Sequence, residues 1–145
     1  MSQEPQRVYT MDDYYDGPRG GVADFEGRPH VYRSLFVNLG RDANGQWLED
    51  VFVLKPIDQE MLALVLEDWG IWLRWESAFK AGAAPHDSHP ALPADRARHD
   101  EIWPKLEALL ELPENEPGLI RARASFMQGG GPDCAYGLRV VWTPE

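Results

Sequence analysis

The chain has 145 residues, of which 43% are hydrophobic and 26% are charged, and its formal net charge is −10. A chain of this length can bury one hydrophobic core without help from disulfides. Abundant apolar residues and 12 prolines argue against disordered, fibrous and coiled-coil classes. The single cysteine, Cys134, excludes an internal disulfide and a thiolate zinc centre.

The first residues are polar, and no apolar run reaches the roughly 18 residues that a membrane span needs. We therefore expect a cytoplasmic protein without membrane contact. Residues 58–116 contain 13 acidic and 5 basic residues and so hold most of the negative charge. Such a field repels nucleic acid and anionic lipid and attracts basic partners, although an acidic face also serves solubility alone.

Residues 1–21 mix tyrosines and aspartates and end in a turn-rich run, which predicts an ordered N-terminal arm. In residues 22–57 apolar and polar side chains alternate around turn clusters, which predicts a β-meander. Its last strand is the apolar run 51–54.

Residues 58–112 predict a helical pair. Asp58 is a good N-cap for the first helix, and Gly82 is a suitable residue to end it. Pro104 stands either near the start of the second helix or at a kink in a longer one. Residues 118–143 alternate again and predict a C-terminal hairpin.

The element order β-β-β-α-α-β-β predicts a single α+β domain over residues 1–145. We expect an antiparallel sheet of about five strands with two helices packed on one face.

The first helix carries a candidate partner-binding surface: Glu67, Asp68, Trp72 and Glu76. A desolvated indole supplies contact area, and neighbouring carboxylates steer a basic protein. Packing of the tryptophans in the core is the ordinary alternative.

A second candidate is a ligand-binding or catalytic group near the first hairpin, formed by Asp16, Arg19, Asp24 and His30. An acid, an arginine and a histidine together suit anion binding or proton transfer. The alternative is that these residues satisfy turn amides and pair with one another.

His86 and His89 lie in a proline-rich loop without the spacing of a zinc motif, so we expect no metal and no cofactor. Chelation by these two histidines stays open at this stage.

The segments DGPRGGVADFEGRPHVYRSLF and LALVLEDWGIWLRWESAFKAG resemble a family of small uncharacterised bacterial proteins. This resemblance implies no activity and no residue roles. The small size, acidity and α+β layout are also similar in type to immunity proteins that neutralise bacterial toxins.

The leading hypothesis is a non-catalytic binding protein, such as an immunity or inhibitor protein, whose acidic helices engage a basic partner. A small enzyme or ligand-binding domain centred on the second candidate is the alternative. A third possibility is a subunit that covers its apolar surface with further copies of itself.

Overall fold

The computed structural model describes residues 4–38, 40–46 and 48–145, and it shows an α+β protein with six strands and two α-helices in these ranges. All six strands join into one closed antiparallel barrel, in which each strand pairs with its sequence neighbours and the first pairs with the last. The strands are β1 (Gln6–Tyr14), β2 (Pro18–Phe25), β3 (Arg28–Ser34), β4 (Asp50–Pro56), β5 (Ile120–Gln128) and β6 (Leu138–Pro144). The helices are α1 (Gln59–Lys80) and α2 (Arg96–Leu110).

The chain divides into two compact units. The barrel unit comprises residues 1–58 and 110–145, and the helical unit comprises residues 59–109.

The β2–β3 hairpin lies within the predicted meander and has a tight turn. Phe25 pairs with Arg28, and Glu26 and Gly27 between them have φ values of 53° and 77°. Two successive positive φ values match the twist of the flanking strands, which is why such turns favour hairpins.

Four aromatic rings fill the barrel interior: Tyr32, Phe52, Phe126 and Trp142. They come from β3, β4, β5 and β6, and all six pairs of rings are in contact, with centroids 5.8–6.2 Å apart. Edge-to-face and tilted pairs of this kind add to the hydrophobic gain of burial. Trp142 is fully buried and donates its indole N–H to the carbonyl of Asp24 at 2.8 Å.

Gly21 permits β1 and β2 to approach closely. Its φ is 152°, and a Cβ at this position would lie 2.3 Å from the carbonyl oxygen of Thr10 and 2.9 Å from the hydroxyl of Tyr32. Only glycine fits there, because the nearest obstacle is backbone.

The structure differs from the predicted sheet by one additional strand and by closure. The N-terminal arm predicted over residues 1–21 contains β1 and the start of β2. β1 closes the barrel through the pairs Gln6–Val140 and Arg7–Arg139. Val8 and Thr10 on this strand are buried, so the strand contributes an inward face that the tyrosine-aspartate pattern concealed.

In the helical unit, α1 ends as predicted at a glycine. Gly82 has a φ of 73°, and the amide of Ala83 donates to the carbonyl of Ala78 at 2.8 Å, which satisfies one of the last free carbonyls. α2 continues through Pro104, so the longer, proline-containing helix is the correct alternative. Neither of these described helices has the length and apolar character needed to cross a membrane.

Candidate ligand site at the barrel mouth

A cavity of about 560 Å³ opens at the barrel end where β1 joins β2 and β5 leads into β6. Its size lies within the range of small-molecule sites. Phe52 and Phe126, from the aromatic core, are part of its wall. We call this cavity the mouth. Its side chains are mainly apolar with a few polar groups, and they include Met11, Tyr14, Asp16, Arg19, Leu48, Glu49, Asp50, Ser125, Met127, Gln128, Tyr136 and Leu138.

A buried ion pair forms one side of the mouth. The Arg19 guanidinium donates to the Asp50 carboxylate at 2.9 Å, and the side chains are only 5% and 2% exposed. Arg19 also donates from Nε to the carbonyl of Tyr15 at 2.6 Å and from its other terminal nitrogen to the carbonyl of Asp16 at 3.1 Å. Since a buried charge requires such partners, these bonds fix the β1–β2 turn to the start of β4.

The Asp50 carboxylate also holds the connection from β3 to β4 through further hydrogen bonds. The hydroxyl of Ser34 donates to Asp50 Oδ2, and the amides of Val37 and Asn38 donate to Oδ1 at 3.0 Å each. Asp50 is therefore fully engaged within the protein. Its charge and that of Arg19 balance each other, so this pair alone gives the mouth no net charge.

Asp16 and Glu49 supply the remaining charge of the mouth. Both are exposed, and neither carboxylate forms a hydrogen bond or ion pair with another described residue. Asp16 has a φ of 52°, a conformation in which aspartate and asparagine are favoured among non-glycine residues. Two unpaired carboxylates beside aromatic rings create an environment that favours a cationic group.

Exposed apolar side chains surround the mouth. Among the described residues, ten large hydrophobic side chains are exposed, and seven of them lie at this end of the barrel. We call these seven the apolar rim: Tyr14, Tyr15, Phe36, Val37, Leu48, Met127 and Tyr136. The rim includes residues outside the cavity wall. Phe36 is one of these, and it belongs to the rim because its ring lies 5.5 Å from the guanidinium of Arg19, which does line the cavity.

The structure divides the predicted group of Asp16, Arg19, Asp24 and His30. Asp16 and Arg19 line the mouth, whereas Asp24 and His30 lie near the β2–β3 turn at the other end of these strands. Arg19 and Asp24 are five positions apart along β2, a distance of roughly 16 Å. These four residues therefore do not share one pocket.

Asp24 and His30 have local partners. The His30 ring is buried and donates to the carbonyl of Arg28 at 2.8 Å. Tyr9 lies beside Asp24, and burial together with that carboxylate raises the pKa of the Tyr9 phenol above its ordinary value.

The predicted partner-binding carboxylates of α1 have cationic neighbours within the helical unit. Glu67 accepts two hydrogen bonds from Arg98, at 2.5 and 2.8 Å, which lower the pKa of Glu67. Asp68 accepts from His99 Nδ1 at 2.7 Å. The arginine partner of Glu67 comes from α2, within the same helical unit.

Trp72 and Glu76, the other members of that surface, also have internal contacts. Trp72 stacks on Trp75 with centroids 5.4 Å apart, and Glu76 lies 3.5 Å from Lys80. The binding of a basic partner at this helix face stays a prediction. These contacts reduce the negative charge that the face presents.

The loop histidines lie close to aromatic rings. His86 and His89 are exposed, and the His89 ring contacts Trp72 and Trp75. Partial burial, His86 and Arg96 lower the pKa of His89. Within residues 4–38, 40–46 and 48–145, no three His, Cys, Asp or Glu side chains are placed to hold a metal ion.

Asp12, one residue beyond Met11 of the mouth, has an unusual proton affinity. Desolvation by the surrounding protein, with a smaller contribution from Asp13, raises the pKa of Asp12 to about 6 from an ordinary 3.8, while a hydrogen bond to the backbone of Asp12 itself and, more weakly, Arg33 oppose the shift.

Sequence reasoning missed most of the mouth. Glu49 and Asp50 precede an apolar strand, and a pair of acids at that position was the available signal. Phe126 and Tyr136 gave no signal, because one fits an ordinary strand pattern and the other follows a glycine-rich loop.

Comparisons of the chain with protein-family models, with curated proteins and with solved structures gave no match. The geometry of the mouth is therefore the main indication of what this protein binds.

Proposed function

We propose that this protein is a binding protein whose site is the mouth of the barrel, and that the site receives a group combining an apolar body with a positive charge. The observation that carries the proposal is the combination of a cavity of about 560 Å³, aromatic walls and two carboxylates without internal partners. Sites for small organic groups have this composition, with a mostly apolar wall and few polar groups.

The charges determine the class of ligand. Arg19 is 4% exposed and its three nitrogens all donate within the protein, so it is poorly placed to attract an anion. Asp16 and Glu49 stand exposed on the same cavity and attract a cation.

The sequence offered a ligand-binding domain at Asp16, Arg19, Asp24 and His30 as the alternative function. We retain ligand binding but assign a different set of residues to the site. Asp16 and Arg19 remain, and Asp24 and His30 are replaced by Glu49 and the aromatic wall.

Three phenyl fragments of similar size test the proposal: 2-phenylethylamine, 2-phenylethanol and phenylacetate, which carry a positive, neutral and negative group. We expect the amine to shift backbone amide NMR signals of Leu48, Ser125 and Tyr136, and to bind about threefold more tightly than the alcohol. Phenylacetate should be the weakest. If none of the three perturbs mouth residues, the mouth is not a binding site and the proposal is wrong.

Two double variants distinguish attraction by the carboxylates of the mouth from attraction by the net charge of the whole protein. Asp16→Asn with Glu49→Gln removes two charges at the mouth, and Asp87→Asn with Glu107→Gln removes two exposed charges in the helical unit. Only the first pair should abolish the preference for the amine over the alcohol. An equal effect of both pairs would show attraction by net charge alone.

A further inference from the structure

The apolar rim extends beyond what a small molecule in the mouth can cover. Tyr15, Phe36 and Val37 are 59%, 41% and 57% exposed, and none of them lines the cavity. A ligand held inside the cavity would leave these three side chains in water. All three residues lie around the Arg19–Asp50 pair: Arg19 donates to the Tyr15 carbonyl and lies 5.5 Å from the Phe36 ring, and Asp50 accepts from the Val37 amide. Exposed apolar side chains gathered in one place mark sites of macromolecular contact.

Three separate connections supply the rim, so it surrounds the opening. Tyr14 ends β1 and Tyr15 lies in the β1–β2 turn, Phe36 and Val37 follow β3, and Tyr136 precedes β6. Tyrosine, phenylalanine and methionine, which provide most of this rim, are enriched in protein interfaces.

The charge of these connections is complementary to a basic surface. Residues 14–19, 36–50 and 127–137 contain five acidic residues and two arginines, a net charge of −3. Arg19 and Asp50 neutralise each other in the interior, and Arg41 is the second arginine. Asp16 and Glu49 then place negative charge directly at the opening.

We propose that the mouth and its apolar rim form a docking surface for a basic segment of another protein, in which an arginine or lysine side chain enters the mouth while flanking apolar residues cover the rim. This inference rests on the proposed function, because it names the occupant of the same site. The aliphatic stem of the inserted side chain lies against Phe126 and Tyr136, and its charge is met by Asp16 and Glu49. An aromatic rim that excludes water around a central charged contact resembles the organisation of interface hot spots.

The test is selection of phage-displayed random linear peptides on the immobilised full chain, with measured affinities for the enriched sequences. We expect enrichment of arginine or lysine next to apolar residues. The double variant Asp16→Asn/Glu49→Gln should weaken these peptides about tenfold, and replacement of the basic residue by norleucine should do the same. Asp87→Asn/Glu107→Gln should leave affinity within about twofold.

Several outcomes would overturn the inference. The inference is wrong if the selection enriches no peptide, or if the enriched peptides lack basic residues. It is also wrong if the double variant and the parent bind the enriched peptides equally well. Two measurements test the other possible occupants of the docking surface. Sedimentation with phosphatidylserine-containing vesicles tests a lipid surface, and sedimentation velocity over a concentration series tests a second copy of the chain. Binding to vesicles, or self-association lost in Tyr15→Ser/Phe36→Ser, would replace the protein partner by a lipid surface or a second copy.

The two proposals fail separately. If 2-phenylethylamine binds the mouth but no basic peptide does, the proposed function stands and the docking surface is wrong. If neither binds, both are wrong.

Discussion

Arg19 and Asp50 are separated by 31 positions in the sequence, yet their side chains meet at 2.9 Å in a site almost closed to water. This pair joins the first hairpin to the start of β4 and holds the wall of the mouth in place. Removing one partner of such a buried pair destabilises the fold strongly, because the other charge is left uncompensated.

Asp50→Ala should therefore lower the free energy of unfolding by about 3–5 kcal/mol. It leaves the Arg19 guanidinium without its carboxylate and removes the acceptor of the Val37 and Asn38 amides. Denaturant titrations of Asp50→Ala, Arg19→Met and the double variant measure the coupling. The double variant should cost less than the sum of the single variants, and additivity within about 0.5 kcal/mol would contradict a direct interaction.

Gly21→Ala should destabilise the barrel far more than Gly20→Ala. The added methyl at position 21 meets the Thr10 carbonyl at 2.3 Å, whereas at position 20 its nearest neighbour is the Asp13 Cβ at 3.4 Å, an ordinary contact. Thermal unfolding of both variants provides the comparison. Similar melting temperatures would show that β1 and β2 do not approach each other as described.

Trp142→Ala should cost about 3–5 kcal/mol, since it removes a fully buried ring that contacts three other aromatic side chains of the barrel interior. Trp142→Phe keeps most of the ring area and loses the hydrogen bond to Asp24, so it should cost less. Chemical denaturation ranks the two. A Trp142→Phe variant as unstable as Trp142→Ala would place the main contribution in the hydrogen bond.

Asp12 should titrate with a pKa of about 6, measured from its carboxyl carbon by NMR. Because this pKa lies above the ordinary 3.8, the folded state binds the proton more tightly than the unfolded state. Ionisation of Asp12 therefore lowers stability as pH rises from about 4 to about 6. The stability of Asp12→Asn relative to the parent should increase over the same interval.

Asp13→Asn tests one cause of the raised pKa of Asp12. Removing the Asp13 carboxylate should lower the pKa of Asp12, because the like charge is one cause of the shift. An Asp12 pKa near 4 in the parent protein would contradict the environment described.

The local signals of the sequence predicted much of the fold. Alternation predicted strands over residues 22–57 and 118–143, where β3, β5 and β6 lie, and Gly82 predicted the end of α1. Closure of the barrel depends on Gln6 pairing with Val140, a contact between opposite ends of the chain that no local pattern contains.

The candidate site was less predictable for the same reason. Asp16 and Arg19 stood out in a turn-rich segment, but their neighbours Glu49 and Tyr136 come from distant parts of the chain. The prediction of a binding surface on α1 relied on counting charge along the sequence. That count could not show that Glu67 is paired with Arg98 across 31 positions.

We propose above that a cation with an apolar body binds in the mouth. Intermolecular nuclear Overhauser effects between 2-phenylethylamine and the full chain locate the bound fragment and its orientation. We expect contacts from the fragment's ring protons to Phe126 and Tyr136, and from the methylene next to the ammonium to Asp16 or Glu49. Contacts confined to the helical unit, or the opposite orientation with the ammonium against Phe126, would show that the mouth does not bind such a cation as proposed.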